Sequence, residues 1–339
     1  MKKYVALLLA LVMVFALCAC GEKNEDPKPT DSGSAAPTDT NTVAVGAVVI
    51  ARDDVPEDQI YAFVSSIFEN TAEIGEQHGK GKELSLEYAA SMTSVPYHPG
   101  AAKYFKEKGI EVASIKEGAG TGTPYNNLTF TTGGESGTYY AFGGVLSSYV
   151  SSKNADFNVT AITSGGSQAN IEDMAAGNAQ LGFVQTDVMS YAYNGERLFE
   201  EKVEGFSVVA ALYMEQVQIV TTNPDIKTVA DLAGKNVSIG ASGSGVYFNA
   251  IDVLGAYDLT EDDISAKYLN FGDSAEGLKD GKIDAAFIVA GAPTTAIVDL
   301  ATAGNVYLVS LDAEHSAKLL ESSPYYSEAV ITADTYASK

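Results

Sequence analysis

Three short stretches rich in glycine and hydroxyl residues carry the groups best suited to chemistry in this chain. They are Phe130-Thr131-Thr132-Gly133-Gly134-Glu135-Ser136-Gly137-Thr138-Tyr139-Tyr140, Ala161-Ile162-Thr163-Ser164-Gly165-Gly166-Ser167, and Ser238-Ile239-Gly240-Ala241-Ser242-Gly243-Ser244-Gly245. Each follows a β-favouring run and opens a segment with apolar residues at helical spacing, so each reads as strand, turn and helix N-terminus. Such a turn aims backbone N–H groups outward at the positive end of a helix, and glycine lets a bound group approach closely. That chemistry suits a carboxylate or a phosphate. The candidate ligand-binding residues are Gly134, Ser136, Gly137, Thr138 and Tyr139 in the first turn, and Ser164, Gly165 and Ser167 in the second. The third supplies Ser242, Gly243, Ser244 and Gly245. Ser136 or Thr138 is expected to cap the first helix, and Ser167 to cap a helix from Gln168 to about Gly177. Any one of these turns is as readily a plain tight connection, but three in series describe a cleft at the carboxyl ends of strands.

Further polar groups sit beside apolar strand residues: Gln185 and Asp187 in Phe183-Val184-Gln185-Thr186-Asp187, and Asp284 before Ala285-Ala286-Phe287. Gln185 offers both a donor and an acceptor; each aspartate either faces the cleft and accepts from a ligand ammonium or caps a neighbouring helix. Tyr213, after an apolar run ending at Leu212, either walls the pocket or packs in the core. The first turn lacks the Lys-Ser/Thr ending of a phosphate-binding P-loop, and none reads as a dinucleotide-binding glycine pattern. His78, His98 and His315 are isolated, and His98 lies between Tyr97 and Pro99 in a structural turn. No catalytic residue, metal site or cofactor is expected. The only arginines, Arg52 and Arg197, lie outside the turns, so a forked arginine clamp on a carboxylate is not expected either.

The elements that position these groups alternate between strand and helix along residues 128–300, which argues for α/β layers with largely parallel sheets. Before them, residues 43–51 form an apolar, β-branched run expected to be a buried strand. A helix carrying Ile60, Phe63, Val64, Ile67 and Phe68 follows it, then one expected over 85–92 and another over 101–108. Two strands are expected over 206–212 and 217–222, and a helix over 228–233. Residues 117–127 hold three glycines and a proline and read as a linker inside the body. Lys2 and Lys3 precede an apolar run, Val5 to Leu17, with the form of a secretory signal. The run ends Leu17-Cys18-Ala19-Cys20-Gly21, which resembles a bacterial lipobox with Cys20 as the lipidated first residue after a signal peptide over 1–19. Residues 20–42 would then be the lipid-bearing cysteine and a flexible tether. The net charge of −23 speaks against nucleic acid as a partner.

The turns, together with Leu212-Tyr213, Val229-Ala230-Asp231-Leu232-Ala233-Gly234-Lys235, Leu278-Lys279-Asp280-Gly281-Lys282-Ile283-Asp284 and Gly291-Ala292-Pro293, resemble the TAXI-type solute receptors of tripartite (TRAP) transporters. The resemblance implies a type II periplasmic-binding fold, α/β, with two lobes of mostly parallel sheet and helix joined by a hinge. It implies no enzyme activity, a small carboxylate ligand such as glutamate or glutamine, a TRAP membrane permease as partner, and a monomer lipid-anchored at the outer face of the cytoplasmic membrane. A sensing lipoprotein that reports to a membrane kinase is the alternative. The order departs from the family: Asp54-Val55-Pro56 to His98-Pro99-Gly100-Ala101 resembles the family's C-terminal segment yet precedes the first turn. A circular permutation is therefore expected, with 117–127 joining the ancestral ends. One lobe would combine 43–116, 127–212 and 309–339, the other 213–308, with Tyr213 and Leu308 near the hinge.

Overall fold

The computed structural model describes residues 38–336; the signal segment, Cys20 and most of the tether expected above lie outside the described residues. The first strand, β1 (Thr40–Arg52), starts earlier than its apolar run, because Thr40 to Thr42 pair with the far end of the chain. Pro56 then pre-sets the entry to α1 (Glu57–Phe68), whose acidic first turn suits the positive helix end and whose inner face buries Ile60, Phe63, Val64 and Ile67. Next come α2 (Thr71–Gln77), a 3₁₀ turn Gly79–Glu83, and α3 (Leu86–Ala89), a single turn where a longer helix was expected. In α4 (Pro99–Glu107) the cap is His98, whose Nδ1 accepts from Gly100 N at 3.2 Å while Nε2 faces Val55 O at 2.9 Å. Burial pushes His98 down to about 4, so it is a neutral structural residue at ordinary pH.

Residues 117–127 are held down rather than free. Gly120 N donates to Asp53 O at 2.8 Å, Glu57 N to Gly120 O at 3.0 Å, and Tyr125 OH to Asp54 Oδ2 at 2.8 Å. Beyond them the alternation unfolds as β2 (Asn127–Thr131), α5 (Thr138–Lys153), β3 (Asn158–Ile162), α6 (Ser167–Ala175), β4 (Leu181–Gln185) and α7 (Thr186–Asn194). The next strand is one continuous element, β5 (Phe206–Thr221), where two were expected. The expected helix at 228–233 is only a 3₁₀ turn, Val229–Leu232, capped by Thr228. The chain continues through β6 (Asn236–Ser238), α8 (Gly245–Ala256), β7 (Ser265–Lys267), α9 (Phe271–Lys279), β8 (Ala285–Ala290), α10 (Thr295–Ala303), β9 (Tyr307–Leu308), α11 (Ala313–Ser322) and β10 (Ser327–Ile331).

All ten strands join one sheet, ordered β3-β2-β4-β1-β5-β8-β6-β7, with β10 on β1 and β9 on β5. In the larger half β3, β2 and β4 are mutually parallel, and in the smaller half β8, β6 and β7 are. The two long strands are antiparallel neighbours that cross between the halves. β5 pairs with β1 as far as Gln216 and with β8 from Gln216 to Thr221, while β1 pairs with β10 at one end and β4 at the other. Tyr213 pairs with Ala47 at this crossing, and Leu308 pairs with Val220 in the smaller half. A large apolar core fills both faces of the larger half, built on Phe63, Phe105, Phe130, Phe142, Phe183 and Phe206. Two smaller cores, around Val237, Leu254 and Phe287 and around Ile288, Ile297 and Leu278, cover opposite faces of the smaller half. Burial of each such side chain stabilises by about 1.5–3 kcal/mol.

Candidate functional site

Strand ends of both halves point toward the crossing, and the helices that follow them begin there. The N-termini of α5, α6, α8 and α9 meet around one cavity, lined by Gly137 and Thr138, Gly166 and Ser167, Ser244 and Gly245, and Asn270 and Phe271. Gln185 and Glu215 close it from the crossing side, and Tyr139, Val289 and Ala290 complete its walls. Its enclosed space is small, about 70 Å³. Close approach of the halves depends on small residues. Gly166 has φ +112°, a conformation costly for other residues, and a Cβ there would lie 3.3 Å from Ser244 Cα. A Cβ on Gly245 would lie 1.9 Å from Gln185 Oε1.

The helix ends give the cavity a positive partial charge, while the polar atoms around it lack partners. Tyr139 OH, Gln185 Oε1, Glu215 Oε2 and Ser244 Oγ are all buried without a hydrogen bond, and so is Tyr213 OH just behind. Buried polar groups are nearly always satisfied by protein, water or a ligand, so several orphans facing one space call for water or a polar ligand there. Glu215, 2% exposed, is pushed up to about 8, first by burial and then by the charge of Asp187, against the opposing pull of Tyr139, Lys80 and Gln185. Burial, with Glu215 next, likewise raises Tyr139 and Tyr213 well above the usual tyrosine range.

Three hydrogen bonds cross the cleft beside the cavity. Ala169 N donates to Gly243 O at 3.0 Å, Thr138 Oγ1 to Gly291 O at 3.1 Å, and Ala296 N to Ser136 O at 3.3 Å. A second cross-cleft cluster lies on α8. Asn249 Nδ2 donates to Asp187 Oδ2 at 2.9 Å, and Arg197 Nη2 donates to Asp252 Oδ1, whose Oδ2 accepts from Tyr326 OH at 3.0 Å. Asp187 is fully buried and raised to about 7 by burial, with the neighbouring Asp252 carboxylate adding to the rise.

The structure thus brings Gly134, Gly137, Thr138, Tyr139, Ser164, Gly165, Ser167, Gln185, Ser244 and Gly245 to one cavity. Six other expected residues do not line it. Ser136, Ser242 and Gly243 form the seam between the halves, Tyr213 sits behind the wall against Phe142 and Phe183, and Asp187 contacts Asn249. Asp284 lies elsewhere, accepting from Asn236 N at 2.7 Å, which ties β6 to the start of β8. Glu135 is exposed and outside the cavity. The expected caps also differ: α5 and α6 begin after Gly137 and Gly166 with no side-chain cap. Thr138 instead bonds across the cleft, and Ser167 Oγ accepts from Gln185 N at 3.1 Å, holding the end of β4. Glu215, Asn270, Phe271 and the buried Lys80 went unnoticed in the sequence. For Glu215 the signal was a lone carboxylate within a strand of buried residues. Among the described residues no cluster of His, Cys, Asp and Glu suits a metal ion, and no helix is long and apolar enough to cross a membrane.

A sequence model of the NMT1-like family matches residues 27–109 and 130–339. The chain belongs to the NMT1-like family. This NMT1-like chain has a mixed α/β fold, with two parallel-stranded halves spanned by two antiparallel strands. Among solved structures it is similar to the alkanesulfonate-binding protein SsuA from Xanthomonas axonopodis pv. citri bound to MOPS. The identity is 19%, over 56% of this chain and 61% of that one, with a TM-score of 0.39. It is similar also to an amino acid ABC transporter substrate-binding protein, AbpA, from Streptococcus pneumoniae bound to L-arginine. There the identity is 15%, over 55% and 76% of the two chains, with a TM-score of 0.37. The NMT1-like chain spans about three-fifths of the length of the SsuA proteins from Xanthomonas and Escherichia coli, 61% and 60%.

Proposed function

We propose that this chain is an extracytoplasmic solute receptor of the TAXI type, lipid-anchored through Cys20, which closes two lobes around a small amino acid and presents it to a TRAP membrane permease. The observation that carries the reading is the cavity's polarity. Four helix N-termini offer backbone donors to a carboxylate, and one buried carboxyl, Glu215, faces the same space without a partner. A zwitterionic amino acid answers both ends. A ligand with only anionic groups meets Glu215 in its acid form and forgoes the ion pair that an ammonium adds, and a cation alone leaves the helix ends unfilled. The crossing strands β1 and β5 act as the hinge, and the three cleft-crossing hydrogen bonds describe the closed state, whose population the ligand raises.

Circular permutation is part of the proposal. β10 and β1 lie antiparallel and adjacent, Thr40 opposite Ile331, and Ala333 N donates to Asp39 Oδ1 at 2.9 Å, so the two described ends meet side by side. The unmatched gap in the family match, 110–129, spans the strapped segment 117–127. Both features fit ancestral ends joined there and new ends opened beside β10.

A thermal-shift screen of amino acids and dicarboxylates tests the ligand class. A ligand present at a hundred times its Kd stabilises by about 2.7 kcal/mol. Glutamate or glutamine is expected to raise Tm, and Ser244→Ala to weaken the shift. A folded protein that no amino acid stabilises, whether or not a dicarboxylate does, refutes the reading.

A further inference from the structure

We propose that Glu215 exchanges its own proton for the ammonium group of the captured ligand, so that each binding event releases one hydrogen ion to solvent. The inference rests on the amino-acid reading of the cavity and adds to it the residue that selects the amine.

The geometry around Glu215 sets the argument. Its residue lies where β5 crosses between the halves, opposite Val45, and Oε2 opens on the cavity without a partner. The titratable groups that face it are Tyr139 from α5, Tyr213 from β5, Tyr88 from α3, Asp187 from α7 and Lys80 with Glu83 from the 3₁₀ turn. Lys80 is the one cation among them, and its ammonium already donates to Glu83 Oε1 at 2.7 Å. Glu83 and Asp187 are themselves carboxyl groups, so the neighbourhood offers Glu215 no uncommitted positive charge. An isolated carboxylate in such surroundings is costly, and the empty site holds the acid form, in line with its rise to about 8.

A ligand ammonium changes that balance. The O–H bond of the Glu215 carboxyl breaks, its proton leaves to water, and the resulting carboxylate accepts from the ligand's N–H groups in a charge-assisted hydrogen bond. The ligand keeps all its atoms and its charge, so the net change is one proton released. An analogue in which a hydroxyl or oxo group replaces the amine meets the acid form and releases none. At pH 7 a group titrating at about 8 is roughly nine-tenths protonated, so release approaches one proton per ligand. Affinity for an amino acid then rises about tenfold per pH unit up to that value.

The test has two arms. Without ligand, Tm is measured from pH 5 to 8.5 for the wild type and Glu215→Gln. A carboxyl raised on folding stabilises fully below its unfolded value near 4.3, and that contribution is lost as pH rises through about 8, whereas glutamine is indifferent. The advantage of Glu215→Gln is therefore expected to grow with pH. With L-glutamate and L-glutamine, calorimetry at pH 7 in buffers of different ionisation enthalpy counts protons. About one is expected from the wild type and none from Glu215→Gln. A flat Tm difference means that the helix ends already hold the carboxylate, and overturns the proposal. Binding by wild type without proton release overturns the exchange while leaving the amino-acid reading intact. Binding of neither of these, nor of any other amino acid in the thermal-shift screen, refutes the amino-acid reading, and the exchange falls with it.

Discussion

Gly245→Ala isolates lobe closure from folding. The new methyl carbon would sit 1.9 Å from Gln185 Oε1, 2.5 Å from Gln185 Cδ and 2.9 Å from Ser167 Oγ, all of them across the cleft. Ordinary contact begins near 3.4 Å, so the halves must stand apart by about 1.5 Å or Gln185 must leave its place. Opening by that amount carries the three cleft-crossing hydrogen bonds, now 3.0, 3.1 and 3.3 Å, out of range. Each contributes roughly 0.5–1.5 kcal/mol, so closure loses about 2–4 kcal/mol and the ligand's Kd rises about 30- to 1,000-fold. The clash exists only in the closed form, so circular dichroism stays near wild type and the ligand-free Tm falls by less than the ligand-bound Tm. Calorimetric titration with the stabilising amino acid reads the loss, and small-angle scattering reads whether ligand still compacts the molecule. An unchanged Kd with full compaction refutes the argument.

Two further substitutions probe what holds the cleft in shape. Asp187→Asn removes a fully buried carboxyl that burial raises to about 7. The wild type keeps its full stability below the unfolded value near 3.9 and loses that group's share as pH rises through about 7, so the variant gains on it between pH 4 and 8 in denaturant unfolding. A pH-independent difference contradicts this. Asn170→Ala empties the joint where Nδ2 donates to Thr132 O and Phe183 O, both at 2.6 Å, and Oδ1 accepts from Thr131 Oγ1 at 2.8 Å. The expected loss is about 2–4 kcal/mol in denaturant unfolding, and a change under 0.5 kcal/mol refutes it.

The three glycine turns could be found from sequence because turn residues, β-branched runs and helical periodicity coincide at each. Their convergence was legible from the strand-end rule. Asn270 and Phe271 escaped notice because the turn before α9 carries no glycine, although Asn270 Oδ1 caps it by accepting from Asp273 N at 2.9 Å. The split reading of β5 has a clearer cause. Glu215 and Gln216 interrupt its apolar run just where it changes partners from β1 to β8, and a polar interruption in a strand looks like an end. Here it marks the cleft instead: Glu215 lines the cavity, and Gln216 Oε1 accepts from Ala292 N at 3.0 Å. Lys80 lies in Gly79-Lys80-Gly81-Lys82-Glu83, which reads as solvated loop, and only tertiary packing beneath Gly291 reveals its burial.

The paired strands β1 and β5 carry a mechanical consequence. Two extended strands lying side by side and hydrogen-bonded to each other flex readily out of their common plane but resist shear, which would slide one ladder along the other. The register irregularities between Ala47 and Val48 and between Val49 and Ile50 lie on the larger half's side of the crossing, where β1 also pairs with β4, and locally bend and twist the strand. Halves joined in this way would open and close on a single coordinate, like covers on a stitched spine. A shape-reading partner would then tell open from closed by one angle, never by a sideways slip.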